Sequence, residues 1–364
     1  MSSSKRVRQG CDKLSEDLIY EILLWLPVES LLRFKTVSKL WRCLISSPCF
    51  VESHCTRPGS NPETTLIVHN RISDGWFSLL QLGPIPLMSD LPFPYEFDES
   101  RLIGSDKGIV CIVCGNSCGS LFVEAYSSKS RTYLWNPATR HYKLIPPSTS
   151  RDDDDDDNNV ALGFGFDPIN NDFKVIRVVN SPSQSEVYSA NLNAWRKVGI
   201  EPMEIQYPGD FNGCISGVLC WTGLRRILSF DLNKEVFTCV TKLPSESTHA
   251  RVTDFNDSIM LIIGNGSNGK INLWTLDDVK CLRRGGVVEA SWTLMLSIDT
   301  DVPAHSIHSY FNSGDILLRS DIGEWLSYNS VEKKAIKVSK SIRWGEIFKY
   351  TETLVSIAGF KKLK

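Results

Sequence analysis

Apolar residues follow two different periods along the chain. From Leu14 to about Cys55 they recur at helical spacing. Leu18, Ile19, Ile22, Leu23 and Leu26 form one broad stripe, Leu31, Leu32 and Phe34 a shorter one, and Val37, Leu40, Trp41, Leu44 and Ile45 fall at i, i+3, i+4, i+7 and i+8. Ser15 reads as the N-cap of the first helix, with Glu16 and Asp17 at the positive end of its dipole. Pro27 stops that helix or begins the next, and Ser47 and Pro48 end the third. Three helices this short bury little. At about 1.5 to 3 kcal/mol per fully buried large side chain they scarcely offset the chain entropy of the segment, so part of their apolar surface is expected to serve a partner. The helical module is also expected to have a core separate from that of the rest of the chain.

Beyond about residue 60 the texture changes to short β-branched and aromatic runs divided by Gly, Asn, Asp, Ser and Pro, the pattern of an all-β region. A loose repeat runs through it: YLWNPATRHYKLIPP from Tyr133, EVYSANLNAWRKV from Glu186, ILSFDLNKEVFTCVTKLP from Ile227, LWTLDD to SWTLML from Leu273, and WLSYNSVEKKAIKV from Trp325. Each unit reads as two strands around a polar turn, because Asn and Asp tolerate turn backbone geometry and bond their own main chain. Recurrence at roughly 40 to 55 residues is the period of propeller blades. A weaker first unit from Thr64 to Leu82 brings the expected number to about six. The predicted fold class is α+β: a three-helix module over residues 11–55, then an all-β, kelch-like propeller over residues 60–364.

Composition narrows the function classes. A formal net charge of -2 and a sequence pI near 6.3 provide no positive field for phosphate backbones, which argues against nucleic acid. No apolar stretch reaches the roughly 18 residues of a membrane span, so no membrane partner is expected. Lys5, Arg6 and Arg8 are not followed by the apolar run of a secretory signal. Eleven cysteines, an odd count in strand-like settings such as Cys220 and Cys239, suit a reducing compartment, and a cytoplasmic or nuclear location is expected.

Candidate chemistry is sparse. Gly264, Gly266 and Gly269 match a dinucleotide-binding spacing, but the strand-like KINLWTL follows where that motif requires a helix, and Gly163 with Gly165 lacks the third glycine. Cys111, Cys114 and Cys118 cluster without a convincing fourth metal ligand. Six histidines are scattered singly, and no local motif places a nucleophile or a polar site on the axis of a propeller. Asp152 to Asp157 reads as a solvated loop, with an electrostatic contact to a basic target as the alternative. No catalytic residue, cofactor or metal site is therefore predicted.

The segment LSEDLIYEILLWLPVESLLRFKTVSKLWRCLISSPCFVESH, from Leu14 to His54, resembles the plant F-box, with Ser15 where that family usually has proline. The β region resembles the plant F-box-associated interaction domain, also found in pollen S-locus F-box proteins. The likeness rests on the element ending at Cys111, LWNPATR from Leu134, GFGFDPINNDFKVIRVV from Gly163, ILSFDL from Ile227 and YTETLVSI from Tyr350; Asp106 and Lys107 stand where relatives often have serine, cysteine or asparagine. The resemblance implies that Leu14, Leu18, Ile22, Leu26, Pro27, Leu31, Val37, Trp41 and Leu44 form or support a surface for a Skp-type linker subunit. A cullin and a RING subunit would follow indirectly, and the β domain would bind a protein substrate for ubiquitination. Such an adaptor is not an enzyme: it raises the effective concentration of a lysine nucleophile supplied by the substrate. The alternatives are a ubiquitin-independent interaction scaffold and a propeller enzyme.

Overall fold

The computed structural model describes residues 14–57, 65–70, 77–83, 86–91, 100–115, 130–148, 160–179, 184–199, 210–223, 225–245, 250–255, 258–265, 269–300, 306–311, 314–320, 322–338 and 345–363. Four helices open it: α1 (Glu16–Leu24), α2 (Val28–Phe34), α3 (Lys39–Ser46) and α4 (Pro48–Thr56). Ser15 caps α1 by accepting from Leu18 N–H at 3.3 Å, and Ser38 caps α3 by accepting from Trp41 N–H at 3.1 Å. The fourth helix exceeds the three expected. Ser47 and Pro48 not only end α3 but begin α4: Ser47 Oγ accepts from Phe50 N–H, and Pro48 occupies the first helical position, where a missing N–H costs nothing.

Twenty-six strands follow. The first are β1 (Thr65–His69), β2 (Phe77–Gln81) and β3 (Leu87–Asp90), then β4 (Ser100–Asp106), β5 (Ile109–Cys114), β6 (Arg131–Asn136) and β7 (His141–Leu144). Next come β8 (Val160–Asp167), β9 (Asp172–Val179), β10 (Gln184–Ser189) and β11 (Ala194–Gly199), then β12 (Asp210–Ile215), β13 (Val218–Gly223), β14 (Arg226–Asp231) and β15 (Val236–Thr241). The rest are β16 (Ala250–Phe255), β17 (Ser258–Asn265), β18 (Lys270–Leu276), β19 (Gly286–Glu289), β20 (Trp292–Asp299), β21 (Ser306–Tyr310), β22 (Asp315–Arg319), β23 (Trp325–Asn329), β24 (Lys334–Lys337), β25 (Glu346–Lys349) and β26 (Lys361–Lys362). They form six sheets, β25-β1-β2-β3, β4 to β7 with β26, β8 to β11, β12 to β15 with β19, β16-β17-β18-β20, and β21 to β24. Their first strands contact one another around an axis, which makes a six-bladed propeller.

The repeat seen in the sequence has a common geometry. In β6-β7, β10-β11, β14-β15 and β23-β24 a four-residue loop joins the third and fourth strands, and its last residue, Arg140, Asn193, Glu235 or Lys333, has φ between 51 and 57°. The polar residue that opens each loop caps it: Asn136, Asp231 and Asn329 carboxamide or carboxylate oxygens accept from Thr139, Asn233 and Val331 N–H, and Ser189 Oγ accepts from Leu192 N–H. The unit from Leu273 departs from this. Its loop is replaced by an excursion with a 3-10 helix (Val279–Arg283) and β19, which pairs in parallel with β15 of the preceding blade. The weak first unit lies one strand out of register, since β1 and β2 are the second and third strands of their blade.

A blade between two neighbours has two faces to bury, which explains near-continuous apolar runs such as Ile109–Cys114, buried at every position. One hydrophobic cluster fills each of the six blade interfaces. Trp221 and Phe230 meet Ile176 and Val187 in one; Trp135 meets Phe77 in another; Leu317 and Trp325 meet Leu66 and Val68 in a third. The GFGF motif belongs to this packing. A Cβ on Gly163 would stand 2.5 Å from Trp221 Cζ2, and one on Gly165 2.4 Å from Cys214 Sγ, so β8 can approach the next blade only with glycine at both places. Asp106 ties the preceding blade to the same strand by accepting from Phe166 N–H at 2.8 Å.

The C-terminal segment closes the ring. β25 pairs with β1, placing Phe348 opposite Ile67, and the chain then returns across the propeller face. Asn136 Nδ2 donates to the Thr353 and Val355 carbonyls, Thr353 Oγ1 donates to the Lys107 carbonyl, and β26 adds to β7.

Two consequences are measurable. Gly163→Ala overpacks a closed interface and should lower stability by about 1–3 kcal/mol, read as a shifted urea midpoint with an unchanged slope. Burial lifts the Asp106 carboxyl from 3.8 to about 6, against the opposing pull of Phe166 N–H, Cys214 and Lys107. The folded chain therefore takes up this proton at higher pH than the unfolded chain, and stability falls as pH rises through that interval. Asp106→Asn should flatten the slope between those two values, as urea midpoints across the interval will show.

Candidate docking surface

The helical module has an inner and an outer face. Leu23, Val28, Leu31, Ile45 and Phe50 are buried together, and Leu354, from the segment that closes the propeller, is buried among them, with Ala138 packed alongside. Lys107 Nζ meets Glu52 at 3.1 Å across the same boundary. The expectation of two separate cores is thereby corrected: helices too short to enclose a core of their own complete it with a leucine from the far end of the chain. Arg57 and His54 finish this face, Arg57 Nη1 donating to the Leu24 and Leu26 carbonyls and His54 Nε2 lying 3.0 Å from the Leu26 carbonyl. Burial lowers the His54 pKa, and Arg57 adds to that effect while the Leu26 carbonyl opposes it.

The outer face is apolar and open. Leu14, Leu18, Ile22 and Trp25 follow one another at i, i+4, i+8 and i+11 on α1 and just beyond it, each more than half exposed, and Val37 and Leu40 are exposed at the start of α3. Exposed apolar residues at helical spacing on a module whose other side is filled make an unoccupied contact surface.

The residues expected at a linker surface divide into three groups. Leu14, Leu18, Ile22 and Val37 are exposed, as is Pro27, the N-cap of α2. Leu26, Trp41 and Leu44 are half-buried, with the Trp41 ring 5.2 Å from Phe34. Leu31 is 0% exposed and lies wholly within the core. Trp25 and Leu40 belong to the open face and were not among the expected residues. Trp25 carried a signal, since it continues the Leu18, Ile22 spacing by three.

Other candidate chemistry disperses. Cys111 and Cys114, three apart on β5, point to opposite faces of the sheet and enter different interface clusters, so they do not converge on an ion; burial pushes both thiols up. Cys118 and the run from Asp152 to Asp157 lie outside the described residues. Gly264 and Gly269 flank a turn from β17 to β18, strand to strand, and Gly269 has φ 60°.

Comparison with known proteins agrees with this architecture. Residues 11–53 match the F-box domain, and residues 98–283, about half of the chain, match the F-box associated beta propeller domain. Similar proteins include an F-box protein of Arabidopsis thaliana, 25% identical over 283 residues that cover 72% of this chain and 68% of the relative. An F-box/LRR-repeat protein of the same plant is 27% identical over 289 residues, 72% of this chain and 64% of the relative. An F-box/kelch-repeat protein is 28% identical over 221 residues, 56% of this chain and 95% of the relative. With four N-terminal helices packed on a six-bladed propeller and both family matches in register with them, this chain belongs to the F-box proteins that carry an F-box-associated β-propeller domain.

Proposed function

We propose that this chain is the substrate-recognition adaptor of an SCF-type cullin-RING ubiquitin ligase. Residues 11–55 dock a Skp-type linker, which brings the cullin and RING subunits, and residues 60–364 hold the protein target, in the cytoplasm or the nucleus. The supporting observation is the open apolar stripe of Leu14, Leu18, Ile22 and Trp25 with Val37 and Leu40, on a module whose opposite face the propeller already occupies. In this reading Leu31 supports the surface from within, and Leu26, Pro27, Trp41 and Leu44 shape its edge.

Topology also suggests where a target would bind. The inner strands β4, β8 and β25 all end on the side of the F-box, so the first and third connections of each blade face it. The second connections and the links between blades leave from the opposite, uncovered face, and loops over a rigid scaffold are where recognition is usually carried. The adaptor contributes no nucleophile. It holds a target lysine within reach of the charged enzyme, and the gain comes from effective concentration.

A double variant, L18D with I22D, tests the docking surface. Both residues are more than half exposed, so the melting temperature should stay close to wild type, while each loss of a central apolar contact should weaken linker binding by about 2 kcal/mol or more. Co-purification of the full-length double variant with a plant Skp-type linker at wild-type yield would sink the proposal.

A further inference from the structure

A cavity of about 450 Å³ lies on the propeller axis, walled by inner strands β4, β12, β16, β21 and β25 and bordered by the end of α4. Its size falls within the range of about 300–1,000 Å³ typical of small-molecule sites. Two irregularities open it. β12 is bulged between Phe211 and Gly213 and β21 between Ile307 and Ser309, placing Asn212 and His308 as extra residues on the wall. Asn212 Oδ1 accepts from Val252 N–H at 2.9 Å, bridging two blades. Gly213, at φ 134°, has nothing within 4 Å of where a Cβ would stand, so the missing side chain is open volume.

The wall carries four cations, Arg57, Lys107, Arg251 and Lys349, against two carboxylates, Asp106 and Asp254. Lys107 is paired with Glu52 and Lys349 with Asp254, at 3.1 and 2.9 Å. Arg251 faces His308, whose pKa is held well below its ordinary value by burial and then by Arg251 and Arg319. The His308 ring is edge-on to Trp325 at 5.1 Å and to Phe348 at 6.4 Å. A guanidinium, a neutral imidazole and an aromatic ring thus share one wall of a cleft with an excess of positive charge. Low-dielectric walls focus such a field on an anion, and a guanidinium fork matches a carboxylate.

We propose that the axial cavity binds a small organic carboxylate, with its head group on Arg251 beside His308 and its apolar body against Phe348. Ile215 and Val252 extend the apolar wall, which favours an organic body over a bare inorganic anion. Since Cys55, Thr56 and Arg57 of the F-box border the same space, the occupant touches both modules and braces one against the other. The proposal is independent of the ligase reading, because it concerns the chain without any partner.

Fluorine NMR of the full chain with para-fluorobenzoate tests it, beside the neutral para-fluorobenzamide and competition by inorganic phosphate. Saturable binding of the benzoate is expected, weakened at least about tenfold in R251M and in the amide, with little displacement by phosphate. A thermal melt shows whether R251M folds; if it does not, K349M, on the more exposed part of the same wall, is measured in its place. No saturable binding, equal binding of the amide, or unchanged binding in the folded variant would overturn the site. Phosphate displacing the benzoate at lower concentration than the benzoate itself requires would overturn its assignment to an organic acid.

Discussion

Each blade has two apolar faces and can bury them only between two neighbours, so the propeller is stable only as a closed ring. Five interfaces follow from chain order. The sixth, where Phe311, Leu317 and Trp325 meet Leu66, Val68 and Ile347, exists because β25 leaves the last blade and becomes the innermost strand of the first. His69 strengthens that seam, its Nδ1 lying 2.7 Å from Glu346 and its Nε2 3.2 Å from Ser100 Oγ on the next blade. Without the closing strand, two sheets would present apolar faces to water and β1 would become an unpaired edge.

The same segment that closes the ring also positions the helices. Beyond β25 the chain is held by Asn136 and by Lys107, and it carries Leu354 into the F-box core. Gly108, at φ 75°, makes room for it: a Cβ there would stand 2.3 Å from Thr353 Oγ1 and 2.7 Å from the Thr351 carbonyl. The apolar stripe on α1 is therefore held at a set orientation to the propeller. For an adaptor this matters, because effective concentration depends on the span between the two binding surfaces as well as on their affinities.

Several residues that carry the family likeness are explained by packing and turn geometry. In GFGFDPINNDFKV the glycines admit the next blade, Asn171 takes the left-handed position of the turn, and Asp167 receives Lys174 at 2.9 Å. Burial raises the Asp167 pKa, but the donors Lys174, Asn170 and the backbone of Asn170 and Ile169 outweigh it and hold the carboxyl below its ordinary value. Lys174 also reaches Glu235 of the next blade at 3.0 Å, so a buried charge group joins the two sheets. Buried charges kept in this way specify a pairing more surely than they add stability.

Local interactions were legible in the sequence. The helical period located α1 to α3, Ser15 announced its own cap, and Asn or Asp before a four-residue loop marked the blade hairpins, because each depends on residues within a few positions of one another. The exposed stripe of α1 was half legible: Leu14, Leu18 and Ile22 were expected at the surface, yet periodicity alone does not say which side of a short amphipathic helix a neighbour will fill, so Leu31 and Trp25 exchanged places. What depended on distant pairing stayed hidden. The displaced register of the first blade, the parallel strand that blade five lends to blade four, Leu354 in the F-box core and the meeting of Asp106, Arg251 and His308 on the axis all join residues separated by tens to hundreds of positions. No local pattern encodes such contacts. They arise when the ring closes, since closure alone decides which faces are buried and which side chains share the axis.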